Sequence, residues 1–228
     1  MYSFNQRSDT VALDEPFYGI WLAQNNRRHP NFDEILQTLE CHNADKILDL
    51  IEEKENVKGN VFVKNMANTV KYMNQTRVLN YRPLILIRHP AETIVSHAKI
   101  AADITAEDLC LKDQVQLYDY FKERRREDPV VIDGNELRRD PSSILSQVCH
   151  RLDLPFTEEM LSWPPGPKSI DGLWAAARHK DVHASSGFLP PSPSSIQVTK
   201  ENIPKELISV YDQALPHYQK MFSHCIRA

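Results

Sequence analysis

Glycine is scarce in this chain. Six occur in 228 residues, and none stands in a run that could cradle a phosphate. A Gly-x-x-x-x-Gly-Lys-Ser/Thr loop is absent, which disfavours a kinase. Cysteine is scarcer still: Cys41, Cys110, Cys149 and Cys225 stand far apart, with no Cys-x-x-Cys pair among them. Neither a zinc knuckle nor a redox motif is supported, and reduced thiols in a cytoplasmic setting are expected. No apolar run approaches the ~20 residues of a membrane span. A strong charge bias is lacking too. The formal net charge of -4 argues against a general binder of nucleic acid or of anionic membranes. The run Arg124-Arg125-Arg126 is flanked by Glu123, Glu127 and Asp128 and reads as a solvated helix face. No repeat and no second domain are seen, and the length suits one α/β domain over residues 1–228.

What is present centres on residues 84–97. Leu84-Ile85-Leu86-Ile87 is long enough for a buried strand, bounded by Pro83 and by Arg88-His89-Pro90. Pro90 fits the first position of a helix running from about Ala91 to about Ile100. Arg88 then stands at the carboxyl end of a strand, before a helix N-terminus. Open α/β sheets bind ligands there, and free N–H groups and the helix dipole favour an anion. Arg88 adds a charge that cannot be titrated away and a fork that fits phosphate. Ser96 lies one turn past Glu92, so the same helix could offer a hydroxyl.

Other strands are expected at Val11–Leu13, Val61–Val63 and Pro129–Ile132. Asp14 and Glu15 follow the first. Acids in that place fit either a turn before Pro16 or a general base. Lys64 ends the second, where a lysine is either a surface residue or a stabiliser of charge developing on phosphate oxygen. Helices are expected over residues 31–41, 45–55 and 113–126. Another starts at Asp140-Pro141, and a last one at Pro204 is kinked by Pro216. Asp133-Gly134-Asn135-Glu136-Leu137 reads as a turn. Residues 163–200, rich in Pro, Ser and Gly, read as long loops. Within them His179 and His183 have the i, i+4 spacing of a metal pair. The motif His-Lys-Asp-Val-His lacks the second-position glutamate of a zinc-protease helix, and no metal is expected.

Strand, Arg88-x-Pro90, and a helix whose Ser96 follows eight residues after the arginine resemble the sulfotransferase superfamily. The resemblance implies its fold, a mostly parallel sheet with helices on both faces, like that of the P-loop nucleoside triphosphate hydrolases. It also implies its donor, 3'-phosphoadenosine 5'-phosphosulfate, and a small-molecule acceptor with a hydroxyl or amine. Arg88 and Ser96 would hold the donor's 3'-phosphate. Ser185-Ser186-Gly187 looks like the late loop that closes on that phosphate. Lys64 is similar to the strand-end lysine near the transferred group. Many members follow that lysine with an aspartate or histidine, but Asn65 and Asn68 stand here, and an amide cannot act as a base. Asp14-Glu15-Pro16-Phe17-Tyr18 resembles one branch, which includes relatives fused to other enzyme domains, and Glu15 becomes the expected base. Met1–Arg7 resembles the later part of the helix that follows the family's phosphosulfate loop. The expectation is therefore a chain without the first strand and that loop, inactive as it stands. Two other readings stand beside this one. A non-catalytic module could keep only the 3'-phosphate half of the site. A histidine-type phosphohydrolase is the other, since Arg88-His89 is similar to the Arg-His-Gly of that family, which needs glycine where Pro90 stands.

Overall fold

A computed structural model describes residues 1–25, 31–99, 103–175, 179–191 and 198–228. They fall into two compact units, each assembled from two stretches of chain: Met1–Asn80 with Thr157–Phe188, and Tyr81–Phe156 with Leu189–Ala228. Both are α/β, with parallel strands.

In the first unit, β1 (Thr10–Asp14) alternates buried and half-buried positions, with Thr10, Ala12 and Asp14 inward. It pairs in parallel with β2 (Asn60–Lys64), in a register that sets Asp14 opposite Lys64. Between them run α1 (Tyr18–Asn25), α2 (Phe32–Thr38) and α3 (Ala44–Lys58). The Asn43 side chain caps α3 by accepting from the Asp45 and Lys46 N–H groups, and Gly59 ends it at φ 93°, a conformation that suits glycine. The short α4 (Gln75–Val78) follows β2. Tyr18, Leu22, Ile35 and Trp174 form one apolar cluster, and Phe4 stacks on Phe62 with centroids 4.3 Å apart.

In the second unit, β3 (Leu84–Ile87) pairs in parallel with β4 (Val130–Asp133), setting Ile87 opposite Asp133. Around them lie α5 (Pro90–His97), α6 (Leu111–Arg125), α7 (Gly134–Arg139) and α8 (Pro141–Arg151). Every residue of β4 is buried, as befits a parallel strand covered on both faces. Its far edge is engaged by the chain's last residues, where the Ile226 N–H donates to the Val131 carbonyl at 3.0 Å. The core includes Ile85, Ile87, Ile94, Val131, Tyr118 and Met221. The numbering of helices continues with α9 (Lys180–His183) in the first unit and α10 (Ile208–Phe222) in the second.

The expected strands and longer helices are present within a few residues, in two two-stranded sheets. Three features differ. Residues 134–139 form α7, not a turn, because the Asp133 carboxylate accepts from the Asn135 and Glu136 N–H groups and caps a helix. Residues 18–25 form a helix that no periodicity announced. In α6, where the sequence suggests Leu117, Tyr120 and Phe121 inward, the buried rings are Tyr118 and Phe121, while Leu117 and Tyr120 are half-exposed. The proposed end of α5 at Ile100 and the loop at Ser192–Ser195 lie outside the described residues.

Candidate functional site

The β1–β2 register brings three charges together at the carboxyl ends of the strands. Lys64 Nζ lies 2.7 Å from Asp14 Oδ1 and 2.6 Å from Glu15 Oε1. Glu15 adopts φ 48°, and its N–H donates to the Lys64 carbonyl at 2.7 Å. A left-handed glutamate is uncommon, and this turn is what brings its carboxylate back over the strand ends. The Asp14 side chain is fully buried, with Lys64 37% and Glu15 14% exposed. Burial works against the lysine's charge, but the two carboxylates outweigh it and hold its pKa above the ordinary value. Just beyond in sequence, the amide oxygens of Asn65 and Asn68 are buried, with no hydrogen-bond partner among the described residues.

The returning stretch of the same unit contributes a second cluster. Asp171 Oδ1 accepts from Tyr2 Oη at 2.6 Å, and its Oδ2 accepts from the Lys168 N–H at 2.7 Å and faces His183 Nε2 at 3.0 Å. Burial alone would raise the Asp171 pKa, but these hydrogen bonds hold it below the usual carboxylate value. The next N–H, that of Gly172, donates to Asp14 Oδ2 at 3.1 Å and ties the cluster to the end of β1. Burial lowers the His179 pKa; Asp14 opposes that shift and Lys64 adds to it. Ser185–Gly187 follow directly. The Ser185 hydroxyl is committed locally, donating to the Val182 carbonyl at 2.7 Å and accepting from Trp163 Nε1 at 3.1 Å. Gly187 bridges to Ser162, and a Cβ there would stand 2.9 Å from the Leu161 carbonyl, so no larger residue fits without a shift. Of these three residues, Ser186 is the exposed one.

In the second unit, Arg88 directly follows β3 and precedes α5, as expected. Its guanidinium is 45% exposed, and its Nε donates to Glu92 Oε2 at 3.1 Å. Glu92 is buried and also accepts from Asn135 Nδ2 at 2.6 Å. The glutamate thus orients the arginine through one nitrogen and leaves its terminal N–H groups to meet an anion. Ser96 lies on α5, half-buried. His89 is the N-cap residue of α5, its ring edge-on to Tyr218 at 5.1 Å.

Glu15 and Lys64, chosen from sequence as separate candidates, are therefore direct partners. Arg88 and Ser96 share a strand–helix junction in the other unit. Sequence reasoning missed Asp171, which precedes His179 by eight residues in a Pro- and Gly-rich stretch with no period to flag it. It also missed Asn135 behind Glu92.

A family model described as a sulfotransferase domain matches residues 1–225. Among curated proteins, the chain is 32% identical over 225 residues to branched-chain-amino-acid aminotransferase-like protein 1 of Arabidopsis thaliana. It is 32% identical over 232 residues to branched-chain-amino-acid aminotransferase-like protein 2 of the same plant. Each match takes in 98% of this chain but 39% of the relative, so the chain spans about two fifths of the length of these curated relatives. Among solved structures it is similar to a sulfotransferase domain from the curacin biosynthetic pathway. That match has 14% identity and a TM-score of 0.49, covering 89% of this chain and 77% of the other.

Proposed function

Because this chain belongs to the sulfotransferase domain family, we propose that it serves sulfuryl transfer from 3'-phosphoadenosine 5'-phosphosulfate to the hydroxyl or amine of a small-molecule acceptor. The observation that carries this reading is the Lys64–Glu15 pair at the ends of two parallel strands, in a chain matched by that domain over residues 1–225. The donor, when bound, supplies an electrophilic sulfur and a bridging oxygen that must leave with its charge. Lys64 would meet that charge, since two carboxylates keep it protonated. Glu15 is the base of this reading. The acceptor's proton goes to its carboxylate as the acceptor atom bonds to sulfur and the bond from sulfur to the bridging oxygen breaks. Arg88 and Ser96, at one strand–helix junction of the second unit, would hold the 3'-phosphate. The reduced state of all four cysteines fits a reducing, cytoplasmic setting.

Calorimetry with 3',5'-adenosine bisphosphate tests the phosphate assignment. Arg88→Ala should weaken binding by about 1.5–3 kcal/mol, the range for a lost charge-assisted bond. Adenosine 5'-monophosphate, which lacks the 3'-phosphate, should be affected far less. Equal losses for both nucleotides, or no bisphosphate binding by the unaltered chain, would overturn it.

A further inference from the structure

Asp171, His179 and His183 each offer a ligand atom, and the three atoms lie within 4.8 Å of one another. Two atoms that each bind a zinc ion at about 2.0–2.2 Å with tetrahedral angles stand about 3.3–3.6 Å apart. Here Asp171 Oδ2 lies 3.0 Å from His183 Nε2, and the other carboxylate oxygen, Oδ1, lies 4.0 Å from His179 Nδ1, on either side of that spacing. At 4.0 Å the contact of His179 Nδ1 is too long for a hydrogen bond. That nitrogen is buried, with no hydrogen-bond partner among the described residues. A buried nitrogen left without a partner is costly unless something else engages it.

The surroundings fit a cation. The carboxylate is oriented from behind by Tyr2 Oη and the Lys168 N–H, as outer-shell donors orient metal-binding carboxylates. Lys64, at the end of β2, is already balanced by Asp14 and Glu15. Two imidazoles and one carboxylate suit zinc and other first-row transition ions, not magnesium or calcium, which take oxygen ligands.

We propose that Asp171, His179 and His183 form a binding site for a divalent transition-metal ion such as zinc, with a coordination position left open. The ion would hold the Asp171 carboxylate and the His179 and His183 rings together. The site is independent of sulfuryl transfer and stands if that reading fails.

The test is titration of the chelator-treated full chain with zinc, followed by calorimetry in a non-coordinating buffer. One zinc per chain is expected, with no binding of magnesium. His179→Gln and His183→Gln should each weaken zinc binding by more than the roughly 10–100-fold that loss of an outer-shell partner costs. His42→Gln, at an exposed histidine elsewhere in the unit, should leave it unchanged. Cobalt added to the unaltered chain gives a reading that needs no variant. Intense visible bands that zinc abolishes support the site, whereas only the weak bands of hydrated cobalt overturn it. Absence of stoichiometric zinc binding, or zinc binding unaltered in both variants, overturns it as well.

Discussion

A carboxylate can take a proton from a substrate only if it is not wholly spent on neighbouring cations. Glu15 meets Lys64 through one oxygen, and Lys64 has a second carboxylate, buried Asp14, to hold it. Glu15→Gln should therefore lower turnover sharply in any context where the chain transfers sulfate, with bisphosphate affinity nearly unchanged, because Asp14 still anchors the lysine. Steady-state kinetics beside calorimetry would show it, and a variant with normal turnover would exclude Glu15 as the base and open the search among Asp14, His89 and His97. His89 makes a separate prediction. Burial against the Tyr211 and Tyr218 rings holds its pKa below the ordinary 6.5, although the Glu92 and Asp133 carboxylates pull upward. The unfolded chain thus binds more protons there than the folded one below about pH 6.5, and stability falls as pH falls through that region. Urea midpoints at pH 7.5 and 5.5 should differ less in His89→Gln than in the unaltered chain. Equal differences would contradict the assignment. The strand-end positions of Lys64 and Arg88 were legible in the sequence, since each directly follows an apolar run, as were those of Asp14 and Glu15 after Val11–Leu13. Their pairings were not: Lys64 meets Asp14 through register, Arg88 meets Glu92 through helix phase, and Asp171 reaches Tyr2 only through loop return.

Elements were legible where an apolar run is bounded by punctuation. β3, between Pro83 and the Arg88-His89-Pro90 turn, has the bounds read for it, and α8 starts at Pro141 behind the Asp140 cap. α1 was hidden because Tyr18-Gly19-Ile20-Trp21-Leu22-Ala23 has no polar side to create a helical period. α7 was hidden because Asp-Gly-Asn reads as a turn until the Asp133 side chain is seen capping it. α10 shows an element tolerating a rule-breaker. Pro216 stands inside it on the exposed side, where it can donate no N–H to the helix. Pro216→Ala should raise unfolding free energy by about 1–3 kcal/mol, up to the full interior penalty of proline. Urea denaturation measures this. A lowered midpoint would mean that the packing of Tyr211 and Tyr218 depends on the proline's distortion.

At the scale of the molecule, the chain alternates between its two units: Met1–Asn80, Tyr81–Phe156, Thr157–Phe188, Leu189–Ala228. No Gly- or Ser-rich linker stands at Asn80 or Phe156, and only the change at Phe188 lies beside a Pro- and Ser-rich stretch. The interleaving has a consequence for synthesis. Tyr18, Leu22 and Ile35 emerge early from the ribosome, but Trp174, which completes their cluster, belongs to the returning stretch. The residues between Asn80 and Phe188, roughly 110 of them, take about 5–20 s to make at ribosomal speed. For that interval Tyr18, Leu22 and Ile35 lack the ring that completes their cluster, which leaves them open to non-native contacts for a time set by the order of translation.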